Sequence, residues 1–217
     1  MRTTRIRSLL GLILAFTTFT TAAETQTPDQ AIRETTDQLR ALIDRNRAIY
    51  EADNEKFFRE VEAVVVPRFD TRYIGQIILG SHWRSTSESQ RTRFITAFKN
   101  NLVHSYARTL LDHADTVELK WKPVHMAATA KDTTVGVDLI RKGGPPIPIS
   151  FSVHRVGAEW KVYDVSIDSI SLATSFRSQF NPEIRKNGIE GLIKRLESRP
   201  PAGGLSSWQA VEKLRSP

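Results

Sequence analysis

Acid–base catalysis is the first chemistry that the titratable residues suggest. Asp164 and Asp168 follow Tyr163 in a segment of alternating apolar residues, so both carboxylates lie opposite Val165 and Ile167 if that segment is a regular strand. Two carboxylates beside a tyrosine can exchange protons with a substrate. In the structural alternative, the carboxylates face water or pair with nearby cations: Arg155, Lys161 or Arg177.

Other catalytic and metal chemistries lack their usual motifs. The five histidines never recur at the i,i+3 or i,i+4 spacing of a helical zinc pair. The chain has no cysteine, which excludes thiolate metal sites and disulfides. It also lacks G-x-S-x-G, S-x-x-K, G-x-G-x-x-G and P-loop sequences. The sequence therefore predicts neither a metal nor an organic cofactor.

The segment from 147 to 180 has the pattern around which the fold is organised. Apolar residues alternate between Ile147 and Val153, which predicts a strand with one buried face. A turn at 156–158 leads into an antiparallel partner. The apolar positions of this second strand change parity after Val162, which predicts either a bulge or burial on both faces. Helical spacing begins at Leu172.

The rest of the chain predicts helices before this segment and more strands beside it. Helical patterns begin at Pro28, Asn54, Asp70 and Ser87. Alternating segments at 117–121 and 135–139 bring the number of strands to four. Two short helices, separated at Gly188, follow Phe180. The expected fold class is α+β, with a four-stranded twisted antiparallel sheet and helices packed over one face.

The two ends of the chain differ from the central domain. Arginines precede an apolar run from Leu9 to Phe16 and small residues at 21–23, so residues 1–23 are expected to be a secretory signal peptide. That run is shorter than the ~20 residues of a membrane span. Residues 24–199 are expected to form one domain, and residues 200–217 a flexible tail.

The charge of the chain does not predict a nucleic-acid partner. The whole chain carries a net charge of +7, and removing Arg2, Arg5 and Arg7 from its 31 basic residues leaves 28 against 24 acidic ones. The remaining cations are scattered along the sequence rather than clustered on one predicted face. Nucleic-acid binding is therefore not expected.

Several short motifs occur in a fixed order and spacing: Gly80–Trp83, Gln90-Arg91 ahead of Phe94, Trp160–Val165, Ile170–Leu172, Phe176–Phe180 and Gly191–Leu196. Together they resemble the MlaC family of periplasmic phospholipid-shuttle proteins, also known as toluene-tolerance proteins. The resemblance covers about 31–196. Ser169 stands where the family usually has glycine, and Phe176 stands where tyrosine is common.

The resemblance implies a nonenzymatic periplasmic carrier whose cargo is a phospholipid. MlaC-like proteins take phospholipid from an outer-membrane lipoprotein and porin complex to an inner-membrane ABC transporter with MCE-domain subunits. This transfer keeps the outer leaflet free of glycerophospholipid. Some relatives are instead associated with hopanoid pathways. Removing a lipid with about 30 tail carbons from a bilayer costs on the order of 25 kcal/mol, which only a deep apolar cavity can offset.

The expected cavity lies between the covered sheet face and the helices above it. The candidate lipid-binding residues on the sheet are Leu139, Ile149, Phe151, Val153, Val165 and Ile167, and those on the helices are Phe94, Phe98, Leu102, Tyr106, Ile170, Leu172 and Phe176. Trp83 is expected near the mouth. Arg177 is expected either to brace its helix against Asp164 or Asp168 or to lie at the mouth. The same apolar residues would also form an ordinary dry core, because periodicity shows only which face is buried.

Two other classes of function remain open from the sequence. Helices on a curved sheet also occur in cone-shaped isomerases and dehydratases, where Tyr163, Asp164 and His154 would be the catalytic candidates. An exported adaptor that binds only proteins is the other possibility. The volume of any cavity between sheet and helices is the observation that best separates these classes.

Overall fold

The computed structural model describes residues 26–127, 129–141 and 143–198. The predicted signal peptide and the predicted C-terminal tail lie outside these ranges. Within them, no helix has the length and apolar character required to cross a membrane.

Five helices and five strands make up the described chain. The helices are α1 (Pro28–Ala52), α2 (Asn54–Val65), α3 (Thr71–Leu79), α4 (Glu88–His113) and α5 (Leu172–Ser198), with 3-10 segments at Val66–Arg68 and Gly80–Ser85. The strands are β1 (Val117–Trp121), β2 (Asp132–Arg141), β3 (Ile147–Val156), β4 (Glu159–Ile167) and β5 (Ile170–Ser171). The α+β fold class is confirmed.

The helix starts follow from local capping chemistry. Thr27 and Ser87 both form capping boxes, in which the hydroxyl accepts a hydrogen bond from the third helical N–H and a glutamine side chain accepts from the cap N–H. Asp70 caps α3 by accepting from the Tyr73 N–H at 2.9 Å. These side chains satisfy N–H groups that a helix leaves without partners.

The sheet has five antiparallel strands in the order β1-β2-β3-β4-β5, so the predicted number of four is corrected. The additional strand is Ile170–Ser171, which pairs with the end of β4. Asp168 and Ser169 make the reversal between them, with φ angles of 52° and 67°. A strand of two residues is too short to show an alternating pattern, which is why the sequence did not reveal it.

A bulge in β4 explains the change of parity in its apolar residues. Ser152 pairs with Asp164 and Val153 pairs with Val162, so Tyr163 has no partner residue on β3. The extra residue turns Val162 and Val165 to the same side of the sheet. The predicted bulge is confirmed.

α5 continues through Pro182 and breaks later, at Gly188, where φ is 70° and ψ is 170°. The prediction that a new helix begins near Pro182 is therefore wrong. Phe176, Phe180 and Ile184 form one buried stripe across the proline, with exposures of 2%, 0% and 6%. Burial of that stripe offsets the hydrogen bond that proline cannot donate.

The apolar face of the sheet and its helices form three separate clusters. One cluster joins α3, α4 and α5 to the Ile147 and Ile167 end of the sheet. A second joins the start of α1 to Val135, Val153 and neighbouring strand residues, and a third joins α1, α2 and the second half of α4. Val165 on β4 packs against both the first and the second cluster.

Candidate apolar cavity

A cavity of about 170 Å³ lies among α3, α4, the start of α5 and β4. Nearly all of its lining side chains are apolar. They come from the end of α2 and the following 3-10 segment (Val65, Val66, Phe69), from α3 (Thr71, Ile74, Gly75, Ile78), from α4 (Phe94, Ile95, Phe98, Lys99, Leu102, Val103), from β4 (Tyr163, Asp164, Val165) and from α5 (Leu172, Ala173, Phe176).

The lining side chains differ in their exposure to solvent. Gly75, Ile78 and Phe94 are buried, with Ile78 1% and Phe94 0% exposed. Val65, Val66, Lys99 and Val103 are only partly buried, and this more accessible group of residues is called the outer end.

The segment before α3 holds one wall of the cavity against the edge of the sheet. The Asp70 N–H donates to the Val162 carbonyl oxygen at 2.9 Å, and Phe69 forms a parallel bridge with Val162. This pairing places Phe69 and Thr71 beside Tyr163, at the β4 bulge. The bulge and the start of α3 therefore shape the cavity together.

An ion pair lies at the outer end. The Lys99 ammonium on α4 contacts the Glu62 carboxylate on α2, and their side chains are 24% and 35% exposed. A pair with this exposure contributes little to stability. It does place charge where the apolar lining meets solvent.

Asp164 borders the cavity but serves as a helix cap. Its Oδ1 accepts hydrogen bonds from the N–H groups of Val165 at 2.9 Å and Ala173 at 3.0 Å. Ser171 adds a second cap by accepting from the Thr174 N–H at 3.1 Å. The carboxylate thus satisfies the N-terminus of α5 and fixes the helix that carries Leu172 into the cavity wall.

The other two candidates for acid–base chemistry, His154 on β3 and Tyr163 on β4, lie beside the start of α3. His154 Nε2 is 3.0 Å from Asp70 Oδ2, and the His154 ring centroid is 5.0 Å from those of Tyr73 and Tyr163. Asp70 also caps α3. His154 is therefore engaged with Asp70, and Asp164 is engaged with the start of α5.

Six of the predicted lipid-binding residues line the cavity: Phe94, Phe98, Leu102, Val165, Leu172 and Phe176. Five more belong to the cluster around it: Tyr106, Leu139 and Ile149 are partly buried against that cluster, and Trp83 and Ile167 are buried in it. Phe151 and Val153 pack instead in the cluster under α1. The structure thus brings eleven of the fourteen together.

Trp83 and Ile170 do not lie where the sequence analysis predicted them. Trp83 is only 8% exposed and packs close to Gly75, with the Arg91 guanidinium 4.6 Å above its ring, and it is not among the residues that line the cavity. Ile170 is 48% exposed, because the turn before β5 carries it outward rather than under the helices. Arg177 is exposed and lies against the Gly80 backbone, where an added Cβ would be 2.7 Å from its Nε.

Sequence reasoning did not assign α2, α3 and the segment between them to the cavity. The residues it missed include Val65, Phe69, Ile74, Gly75 and Ile78. Their apolar spacing was visible, but it does not distinguish a helix that covers a cavity from one in a dry core. A glycine in the middle of the apolar α3 helix was the one local signal of close approach.

Other features of the described residues suit neither acyl chains nor a metal ion. A shallow depression along α1 is lined by polar side chains such as Gln30, Arg33 and Glu34, which do not suit acyl chains. Among residues 26–127, 129–141 and 143–198, no three His, Asp or Glu side chains are grouped so that they could hold a metal ion.

The fold and the cavity define an α+β protein in which helices enclose an apolar space over one face of a single antiparallel sheet. The family described as "MlaC protein" matches residues 33–198, and the chain belongs to that family.

Named relatives extend over most of the chain. It is 28% identical over 183 residues to "Toluene tolerance protein ttg2D" of Pseudomonas putida, covering 84% of this chain and 83% of that protein. It is 24% identical to the Haemophilus influenzae "Intermembrane phospholipid transport system binding protein MlaC", covering 87% and 89%. A phospholipid-binding protein from Ralstonia solanacearum, solved in complex with a phospholipid, has the same fold, with a TM-score of 0.74, 24% identity, and coverage of 88% of this chain and all of that chain.

Proposed function

We propose that the protein is a nonenzymatic phospholipid carrier of the periplasm. It would receive lipid from an outer-membrane lipoprotein and porin complex and deliver it to an inner-membrane ABC transporter with MCE-domain subunits, so maintaining outer-membrane lipid asymmetry. The apolar cavity between sheet and helices carries this proposal. Phospholipid as the ligand is supported by the Haemophilus relative, which is named as the binding protein of a phospholipid transport system, and by the Ralstonia protein, which was solved in complex with a phospholipid.

The chemistry of the lining fits acyl chains rather than a reaction. A lipid tail needs to be removed from water without polar partners, and each buried methylene contributes about 0.8 kcal/mol. Leu102, Val165 and Phe176 provide such a surface. The polar residue beside them, Asp164, already accepts two backbone hydrogen bonds. A zwitterionic or anionic headgroup would remain at the outer end, where the lining meets solvent.

The size of the cavity requires the protein to widen when it takes up a phospholipid. Its volume of about 170 Å³ is below the roughly 300–1,000 Å³ of ordinary ligand pockets. Tyr106, Leu139 and Ile149 are only partly buried beside the cavity, so separation of helices and sheet would add them to its lining.

The first experiment measures cargo directly. Protein purified without detergent is extracted with organic solvent, and the extract is examined for phospholipid by mass spectrometry; uptake from phospholipid vesicles is measured in parallel. We expect bound phospholipid in the extract or its uptake from vesicles. Folded protein that neither contains nor takes up phospholipid would contradict the proposal.

A pair of variants locates the binding surface. Leu102→Glu places a charge in the cavity wall, whereas Ile170→Glu places the same charge at a side chain that is already 48% exposed. Because burying a charge beside an acyl chain costs several kcal/mol, we expect Leu102→Glu to lower uptake at least about tenfold. Ile170→Glu serves as the matched control and should retain uptake.

A further inference from the structure

We propose that Lys99 binds the phosphate group of the phospholipid headgroup and that Glu62 is the carboxylate that this phosphate displaces. The inference rests on the proposed carrier function and names the residue that holds the polar end of the cargo. A phosphate attached to acyl chains fits this position better than a free phosphate ion does, because the Lys99 side chain is part of an apolar lining.

Lys99 lies on α4 among residues that face the cavity. Ile95 and Val103 lie one helical turn before and after it, and Leu102 lies three residues on; all three line the same cavity. Of the described side chains that form this lining, Lys99 is the one with a positive charge. Its methylene stem can therefore contact acyl chains while its ammonium meets solvent, as long cationic side chains commonly do.

The Lys99 ammonium has donors that its present partner does not use. An ammonium carries three N–H groups, and among the residues that the structure describes, the Glu62 carboxylate is its one hydrogen-bond acceptor. The side chains of Lys99 and Glu62 are 24% and 35% exposed. Because water can hydrate the Glu62 carboxylate when the ammonium turns to another anion, the exchange of partners costs little.

The other charged side chain of the lining is Asp164. Its Oδ1 already accepts hydrogen bonds from the N–H groups of Val165 and Ala173. A carboxylate repels an anionic phosphate, whereas an ammonium binds it through short charge-assisted hydrogen bonds. The charges of the lining therefore favour a headgroup phosphate at Lys99, in the outer end of the cavity.

The test uses a competing lipid with the same acyl chains and no phosphate. Each protein is incubated with phosphatidylcholine vesicles that contain equal, small amounts of dioleoyl phosphatidylethanolamine and dioleoylglycerol, and these two lipids are quantified in the bound fraction by mass spectrometry. The ratio of bound phosphatidylethanolamine to bound dioleoylglycerol measures recognition of the headgroup, since the two lipids share their tails. The unmodified protein is compared with Lys99→Gln, Lys99→Arg, Glu62→Gln and Lys56→Gln.

The two partners of this ion pair should change the ratio in opposite directions. Lys99→Gln removes the cation that binds the phosphate, so the ratio should fall by about three- to tenfold, whereas Lys99→Arg should retain it. Glu62→Gln removes the competing anion, so the ratio should rise by up to about fivefold. An ion pair that only braces α2 against α4 is lost in both Gln variants and predicts changes in the same direction.

Two further measurements serve as controls. Lys56→Gln should not change the ratio, because Lys56 forms an ion pair with Glu60 on α2 but is not part of the lining. A higher concentration of sodium chloride should lower the ratio for the unmodified protein, because salt screens a partly exposed charge. If Lys99→Gln does not fold, this salt dependence and the Glu62→Gln variant still test the inference.

The outcomes separate this inference from the carrier function. If the unmodified protein takes up no lipid, the carrier proposal fails, and this inference fails with it. If it takes up lipid, an unchanged ratio in folded Lys99→Gln, or a lower ratio in Glu62→Gln, shows that Lys99 does not bind the phosphate. An equal shift in Lys56→Gln, or a ratio that does not depend on salt in the unmodified protein, would also overturn the assignment.

Discussion

Replacing Ser169 with glycine should stabilise the protein. Asp168 and Ser169 form the tight turn between β4 and β5 with φ angles of 52° and 67°, a conformation in which only glycine avoids a steric cost. Aspartate tolerates this region better than serine does. The Ser169 side chain is exposed, so its removal uncovers no packed surface.

The size of the stabilisation by Ser169→Gly follows from two opposing contributions to the free energy of unfolding. A non-glycine residue in the left-handed region costs about 1–2 kcal/mol. Glycine adds about 0.4–1 kcal/mol of entropy to the unfolded chain, which opposes the gain. The expected net stabilisation is therefore about 0.5–1 kcal/mol, or a rise in Tm of roughly 1–4 °C for a domain of this size.

Thermal and urea unfolding of Ser169→Gly measure this effect, with Ser166→Gly as the control. Ser166 lies in β4 and pairs with Ser150 and Ser171, so glycine there should lower stability by roughly 0.5–1 kcal/mol. Lipid uptake should be unchanged in Ser169→Gly. A fall in Tm on the Ser169 substitution would show that the positive φ angle carries no strain.

Three further predictions concern other parts of the fold. Asn101 is buried and donates from Nδ2 to the carbonyl oxygens of Ala97 at 2.8 Å and Leu196 at 2.6 Å. Asn101→Ala should lower the free energy of unfolding, measured in urea, by about 1–3 kcal/mol, because the Leu196 carbonyl oxygen in the last turn of α5 loses its hydrogen-bond donor. Gly188→Ala should lower stability by about 1–3 kcal/mol through backbone strain alone, because nothing lies within 4 Å of the added Cβ. Burial and the hydrogen bond to Glu60 raise the pKa of Tyr50 to about 12, so the folded protein should lose stability as the pH rises from about 10 to 12. Tyr50→Phe should reduce that loss in unfolding measured across this pH range.

The sequence predicted best those features that depend on neighbouring residues. Thr27 and Ser87 correctly predict the starts of α1 and α4, because a capping box involves only residues within one helical turn. The change of parity around Tyr163 likewise predicted the bulge. These features depend on local hydrogen bonds and on the alternation of side chains along a strand, and both are determined by residues that are close together in the sequence.

Features that depend on distant packing were harder to predict. Trp83 is apolar and lies within the 3-10 segment Gly80–Ser85, but its position against Gly75 depends on how α3 meets α4. Ile170 follows an apolar strand, and only the tight turn before it carries it into solvent. The spacing of apolar residues identified the buried face of each element. The cavity depends instead on how α3, α4, α5 and β4 pack around one another, which the spacing does not show.

Helix α4 contributes to two of the three apolar clusters, through Phe94 and Phe98 near its start and Ala107 and Leu111 near its end. Its 26 residues span about 39 Å as one rod. A rod tilts as a whole, so a rotation of α4 at Phe98 would also move Ala107 and Leu111 within the cluster that α4 forms with α1 and α2.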